Sequence, residues 1–174
     1  MNKYLKITLV AVLVSISSFG QNAKGYSYKI HSHNDYMRDV PFWEAYANKA
    51  SSIEVDIVLK NDTLFVAHEA ESINSKKTLK ALYLKPISKA YSLSGKERSN
   101  IQLLVDLKNK PYATLEKLII LFKEYKFLLK TGDKKGLSIV ISGMRPAVSD
   151  YNKYPDFITF DYQKLDDIPQ ESWS

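Results

Sequence analysis

Glu54 and Asp56 stand two residues apart in the run Ser-Ile-Glu-Val-Asp-Ile-Val-Leu over 52–59. That run is β-branched and strand-like, and the side-chain period of two along a strand sends both carboxylates to one face. Two charges on an otherwise apolar strand are costly to bury alone, and a cation is the simplest partner. The alternative is a solvated face on an edge strand. Downstream, Lys60-Asn61-Asp62-Thr63 is a polar turn, and the short apolar strand Leu64 to Ala67 delivers His68 at its end. Upstream, Tyr26 to Ile30 reads as a first strand that runs into His31-Ser32-His33-Asn34-Asp35-Tyr36.

Glu54, Asp56 and Asp106, with the amide oxygen of Asn34, would make a set of hard oxygen ligands that favours Ca²⁺ or Mg²⁺ over zinc. His33 and His68 would then stay unligated and free to move protons near neutral pH. Phosphodiester cleavage needs that division of labour: one histidine deprotonates the attacking hydroxyl, the other protonates the leaving oxygen, and a cation stabilises the phosphoryl oxygens. Lys108 and Arg145 either add positive charge toward the phosphate or pair with the acids, the simpler role for Arg145. His31 shares a strand face with His33 and could assist or pack. A zinc hydrolase built on His31-x-His33 would need further histidines from later strands, and only three occur, the last at His68.

The elements that must hold these residues alternate. Pro41 starts a short amphipathic helix carrying Phe42, Trp43, Tyr46 and Ala50, and it leads into the acidic strand. Thr78 to Tyr91 reads as helix, break at Pro86, helix. Ser92 to Asn100 is a loop by composition. Ile101 to Leu107 is a third apolar run, with Asp106 and Lys108 at its end; Thr114 to Lys126 is an amphipathic helix. Gly132 to Gly136 is a turn, Leu137 to Ile141 a buried strand, and Phe157 to Phe160 a last strand ending in Asp161. Strands separated by helices predict a parallel sheet or barrel, with the chemistry at the carboxyl ends of the strands.

The 174 residues suit one domain over 21–174, with an ordinary 45% apolar and 25% charged content. Lys3 and Lys6, the apolar run Ile7 to Ile16 and Ser18-Phe19-Gly20 read as a signal peptide over 1–20, shorter than a membrane span. This predicts a periplasmic or secreted protein with no stable membrane anchor after cleavage. There is no cysteine, hence no disulfide, no thiol nucleophile and no lipid-modified cysteine. The formal charge of +6 falls to about +4 without Lys3 and Lys6. Scattered lysines with no interleaved arginine and aromatic pattern argue against a nucleic-acid partner, and a mildly basic rim suits an anionic small molecule or lipid headgroup.

At these residues the chain resembles the superfamily of phosphatidylinositol-specific phospholipase C and the glycerophosphodiester phosphodiesterases, and among them the exported bacterial members. Ser32-His33-Asn34-Asp35-Tyr36 is similar to a segment with a catalytic histidine and a calcium-binding asparagine. Ile53-Glu54-Val55-Asp56 resembles the Glu-x-Asp metal strand, and Val66-Ala67-His68-Glu69 the segment of the second catalytic histidine. Leu104-Val105-Asp106-Leu107-Lys108 resembles the Glu-x-Lys strand with the shorter aspartate, while Phe160-Asp161-Tyr162-Gln163 stands where close relatives carry Asp-Gly-Arg. The resemblance, over about Ile30 to Asp161, implies a TIM-type (β/α) barrel that hydrolyses glycerophosphodiester or phosphoinositide-like substrates, with His33 as base, His68 as acid and Ca²⁺ or Mg²⁺ held by Asn34, Glu54, Asp56 and Asp106. Family barrels have eight strands and longer chains; six runs are countable here, so the expectation is an incomplete, C-terminally truncated barrel. The alternative is an inactive remnant or a ligand-binding module.

Overall fold

A computed structural model describes residues 29–164. The signal peptide expected over 1–20, and most of the strand expected over Tyr26 to Ile30, lie outside the described residues. Six strands form one sheet: β1 (His31–Ser32), β2 (Ser52–Lys60), β3 (Thr63–Val66), β4 (Ile101–Leu107), β5 (Leu137–Gly143) and β6 (Ile158–Phe160). Its path is β1-β2-β4-β5-β6, parallel throughout, and β3 pairs antiparallel with the far half of β2. The run at 64–67, counted above with the barrel strands, is therefore a hairpin arm. Asn61 and Asp62 both take positive φ, +46° and +62°, as a tight hairpin turn between right-twisted strands requires. The sheet is compatible with part of a (β/α) barrel, and its path does not close among the described residues.

Among the described residues three α-helices accompany the sheet: α1 (Trp43–Ala47), α2 (Lys85–Ser94) and α3 (Pro111–Glu124). Ile101, Leu103, Val105 and Leu107 of β4, with Leu137, Ile139 and Ile141 of β5, share one core with Ile87, Ala90 and Tyr91 of α2 and Leu115, Leu118 and Phe122 of α3. Alternate residues on β4, Gln102, Leu104 and Asp106, are only half-buried. One sheet face is thus packed on helices, and the other carries the polar side chains. Parallel strands covered on both faces read as continuous apolar runs; the alternation along β4 marks the uncovered face.

Pro86 does not break its helix. The chain enters α2 through a π-helical turn, Lys80–Leu84, in which the Lys85 amide reaches the Lys80 carbonyl, and Pro86 then falls in the first helical turn, where no backbone donor is needed. α2 also runs on to Ser94, into the segment expected to be loop.

Two polar side chains fix the strand ends. The amide of Asn109 continues the ladder past β4: its Oδ1 accepts from the Leu59 amide at 2.8 Å, and its Nδ2 donates to the Leu59 carbonyl at 3.1 Å. Asp35, fully buried, accepts from Ser32 Oγ at 2.8 Å, the Phe42 amide at 2.6 Å and Tyr83 Oη at 3.0 Å. It ties the turn after β1 to the entry of α1 and to the π-helical turn. With three donors on one buried carboxylate and Arg38 Nε 3.7 Å from its Oδ1, its charge is balanced by the protein rather than by solvent.

Candidate active site

The register of β2 and β4 places Asp56 directly opposite Asp106, and that of β4 and β5 places Asp106 opposite Ser142. Ser142 Oγ in turn donates to Asp161 Oδ2 at 3.2 Å, just past β6. A polar row therefore crosses four strands at the carboxyl end of the parallel ladder. Glu54 lies one step further in on the same face, and Ser52, paired with Gln102, one step further still. The period of two along β2, read in the sequence, is what stacks these layers.

Glu54, Asp56 and Asp106 form the cluster: one carboxylate oxygen from each lies within 4.8 Å of the others. Glu54 and Asp56 are buried, Asp56 completely. Tyr36 Oη donates to Asp56 Oδ2 at 2.7 Å, and Lys108 Nζ sits 3.2 Å from both Asp56 Oδ2 and Asp106 Oδ2. Lys108 therefore pairs with the acids here. Burial pulls its ammonium toward the neutral form, but the carboxylates of Asp106 and Asp56 outweigh this and raise its pKa. Burial pushes the Asp106 carboxyl up; Lys108 opposes that, while Asp56 and Glu54 add to it. The Tyr36 phenol is pushed far up, by burial first and then by its bond to Asp56, so it remains a donor.

Asp56 Oδ1 is buried and has no hydrogen-bond partner. Such an atom in a carboxylate cluster is costly unless something positive stands beside it. Three carboxylates less one ammonium leave a charge that a single divalent ion would balance. A set of hard oxygen donors of this kind could hold a metal ion. Gly143 makes the space: at φ +69° a Cβ there would collide with Asp106 Oδ1. Asn34 takes the left-handed conformation, φ 46°, at the start of the 3₁₀ turn Asp35–Met37, and its carbonyl accepts from the Met37 amide at 3.0 Å.

The histidines lie around this cluster. His31 Nε2 is 3.0 Å from Glu54 Oε2, and its Nδ1 is 2.9 Å from Ser52 Oγ. His33, its side chain 71% exposed, has Nε2 3.7 Å from Glu54 Oε1. His68, also exposed, faces Glu69 Oε1 at 3.7 Å and lines a cavity of about 510 Å³ with Tyr36, Met37, Asn74 and Lys77. Tyr36 is the shared wall, since the same residue bonds Asp56. Arg145 follows β5, and its Nη1 is buried without a hydrogen-bond partner; no carboxylate pairs with it among the described contacts. The sequence reading passed over Tyr36 and Asp35 and left His31 undecided. The partners that give these residues their roles come from β2 and the π-helical turn, which no local pattern connects to them.

Comparison with known proteins bears on the first half of the chain. Residues 22–102 match the AIM6-like phosphodiesterase domain. The chain is 45% identical over 64 residues to an altered inheritance of mitochondria protein 6 homolog from Arthroderma benhamiae, covering 33% of this chain and 20% of that one. It is 40% identical over 63 residues to altered inheritance of mitochondria protein 6 of Eremothecium gossypii, covering 35% and 16%. The Lachancea thermotolerans protein of that name is 45% identical over 62 residues, covering 34% and 14%. The aligned stretch thus spans a fifth or less of the length of each of these relatives. No solved structure matches. These matches support a phosphodiesterase-like family and with it the hydrolase reading. They do not support the narrower expectation of an exported bacterial phospholipase-type member, nor a signal peptide, a periplasmic location or a lipid substrate.

Proposed function

We propose that this chain is a divalent-cation-dependent phosphodiester hydrolase acting on glycerophosphodiester or phosphoinositide-like substrates. The observation that carries the reading is the Glu54/Asp56/Asp106 cluster with the unpartnered, buried Asp56 Oδ1 at its centre. Glu54, Asp56 and Asp106, joined by the Asn34 amide oxygen, would hold Ca²⁺ or Mg²⁺. A cation bound there supplies charge stabilisation for the phosphoryl oxygens of the transition state.

The protein's own groups do the rest. His33, exposed and backed by Glu54 Oε1, takes the proton from the attacking hydroxyl. His68, exposed on its cavity, returns a proton to the leaving oxygen. Lys108, kept protonated by its two aspartates, brings a positive charge to the carboxylate cluster, and Arg145 follows the neighbouring strand at the same end of the sheet. Tyr36 keeps the Asp56 carboxylate in place by donating to it. The residues of 1–20 support export to the periplasm or medium, with the mature chain beginning near Gln21.

The test is hydrolysis of a phosphodiester panel, including bis(p-nitrophenyl) phosphate, glycerophosphocholine and glycerophosphoinositol, with Ca²⁺, with Mg²⁺ and with EDTA. Cation-dependent turnover is expected. His33→Ala and His68→Ala should each lower kcat by about 10²- to 10⁴-fold. No hydrolysis of any panel member with either cation, or activity indifferent to both EDTA and His33→Ala, overturns the reading.

A further inference from the structure

A second line of side chains runs behind the carboxylate cluster on the same sheet face. Gln102 Nε2 donates to Ser52 Oγ at 3.1 Å, Ser52 Oγ meets His31 Nδ1 at 2.9 Å, and His31 Nε2 meets Glu54 Oε2 at 3.0 Å. The directions of these bonds follow from counting protons. An ionised carboxylate only accepts, so the hydrogen between His31 and Glu54 belongs to Nε2. The Ser52 hydroxyl already accepts from Gln102, and its single proton is free for His31 Nδ1. The ring is therefore held at both nitrogens, Nε2–H on Glu54 and Nδ1 on the Ser52 hydroxyl. Neither contact alone fixes the plane of the imidazole; together they do.

We propose that His31 is a positioning residue for the cation site: anchored by Ser52 and, through it, Gln102, it holds Glu54 by Oε2 and so sets the angle of the carboxylate toward the cluster. This rests on the cation-site reading above and assigns a role to a residue that reading does not use. Partners that orient a ligating carboxylate set its angle and keep it from turning away, at a cost of about 10- to 100-fold in metal affinity when they are lost. The His31 side chain is 41% exposed, so its removal opens no enclosed cavity, and it takes one hydrogen bond from the buried Glu54. The stability change is therefore small beside the change in affinity.

The experiment is calorimetric titration of the full chain with Ca²⁺ and with Mg²⁺, for wild type, His31→Ala, His31→Gln and Ser52→Ala, beside the metal-free Tm of each. His31→Ala is expected to weaken binding about 10- to 100-fold while the metal-free Tm falls by no more than about 4 °C. His31→Gln, whose amide can donate to Glu54 and accept from Ser52, is expected to recover most of the loss. Ser52→Ala is expected to weaken binding less than His31→Ala. Wild type and His31→Ala binding equally well overturns this proposal alone. A wild-type chain that binds neither cation overturns the cation-site reading, and this proposal with it.

Discussion

Lys108→Met isolates the electrostatics of the site. In the folded chain the Lys108 ammonium is 3.2 Å from an oxygen of Asp56 and 3.2 Å from one of Asp106, and Asp56 is completely buried. Removing one partner of a buried ion pair costs about 3–5 kcal/mol, because the remaining charge is left without compensation. The Lys108 side chain is 22% exposed, so water retains part of the solvation and the lower end, about 3 kcal/mol, applies. For a domain of this size that corresponds to a fall in Tm of about 6–12 °C. The loss should shrink on acidification, since Asp106 is already pushed up by burial and can take a proton instead. A divalent cation offers the same relief at neutral pH: without the ammonium the three carboxylates hold it more tightly, and each tenfold gain in affinity over wild type recovers about 1.4 kcal/mol of the deficit. The assay is calorimetric or circular-dichroism melting of wild type and variant in EDTA and in saturating Ca²⁺ or Mg²⁺. A metal-free variant melting within about 2 °C of wild type, or one whose deficit is the same with and without cation, refutes the reasoning.

Gly143→Ala should cost stability through its φ of +69°, by about 1–2 kcal/mol, and should also lower cation affinity, because the new Cβ displaces Asp106 Oδ1. Gly132→Ala shares a positive φ of +52° but meets nothing within 4 Å, so the same titration should show lost stability and unchanged affinity. Burial raises the phenols of Tyr83 and Tyr91, which accordingly bind their protons more tightly folded than unfolded. Their contribution is complete below the unfolded pKa of about 10 and is lost as pH rises above it, so Tm should fall steeply between about pH 10 and 12. Tyr91→Phe should flatten that fall, while costing about 1 kcal/mol at neutral pH for the bond to the Ser99 carbonyl.

The sequence carried the strand runs and the placing of the acids, because the period of two is a local property: Glu54 and Asp56 share a face whatever the rest of the chain does. Asp106 and Lys108 were placed by the same logic at the end of β4. Local pattern could not show that β3 turns back along β2, since the alternation of a strand is the same in either direction; the positive φ values at Asn61 and Asp62 decide it. Pro86 reads as a break because it cannot donate a hydrogen bond, yet one missing bond is tolerated at the start of a helix. His31, Asp35 and Tyr36 were opaque for a single reason. Apart from Ser32 and Arg38 beside Asp35, their partners lie 7 to 48 residues away, at Phe42, Ser52, Glu54, Asp56 and Tyr83.

The β2–β3 hairpin has a consequence for the order in which the site is assembled. It carries Glu54, Asp56 and, just past its second arm, His68, all within one local unit of a kind that forms in about 1–10 μs. Asp106 and Lys108 arrive only when β4, some fifty residues further on, pairs with β2, and that step must first meet the entropy of closing the loop between them. Half of the charge cluster is thus drawn together early and in water, and is buried late, by the strand that brings its counter-charge. A ligand that needs acids from both strands can grip only the completed sheet. It holds the native state against unfolding and contributes nothing to the first steps of folding.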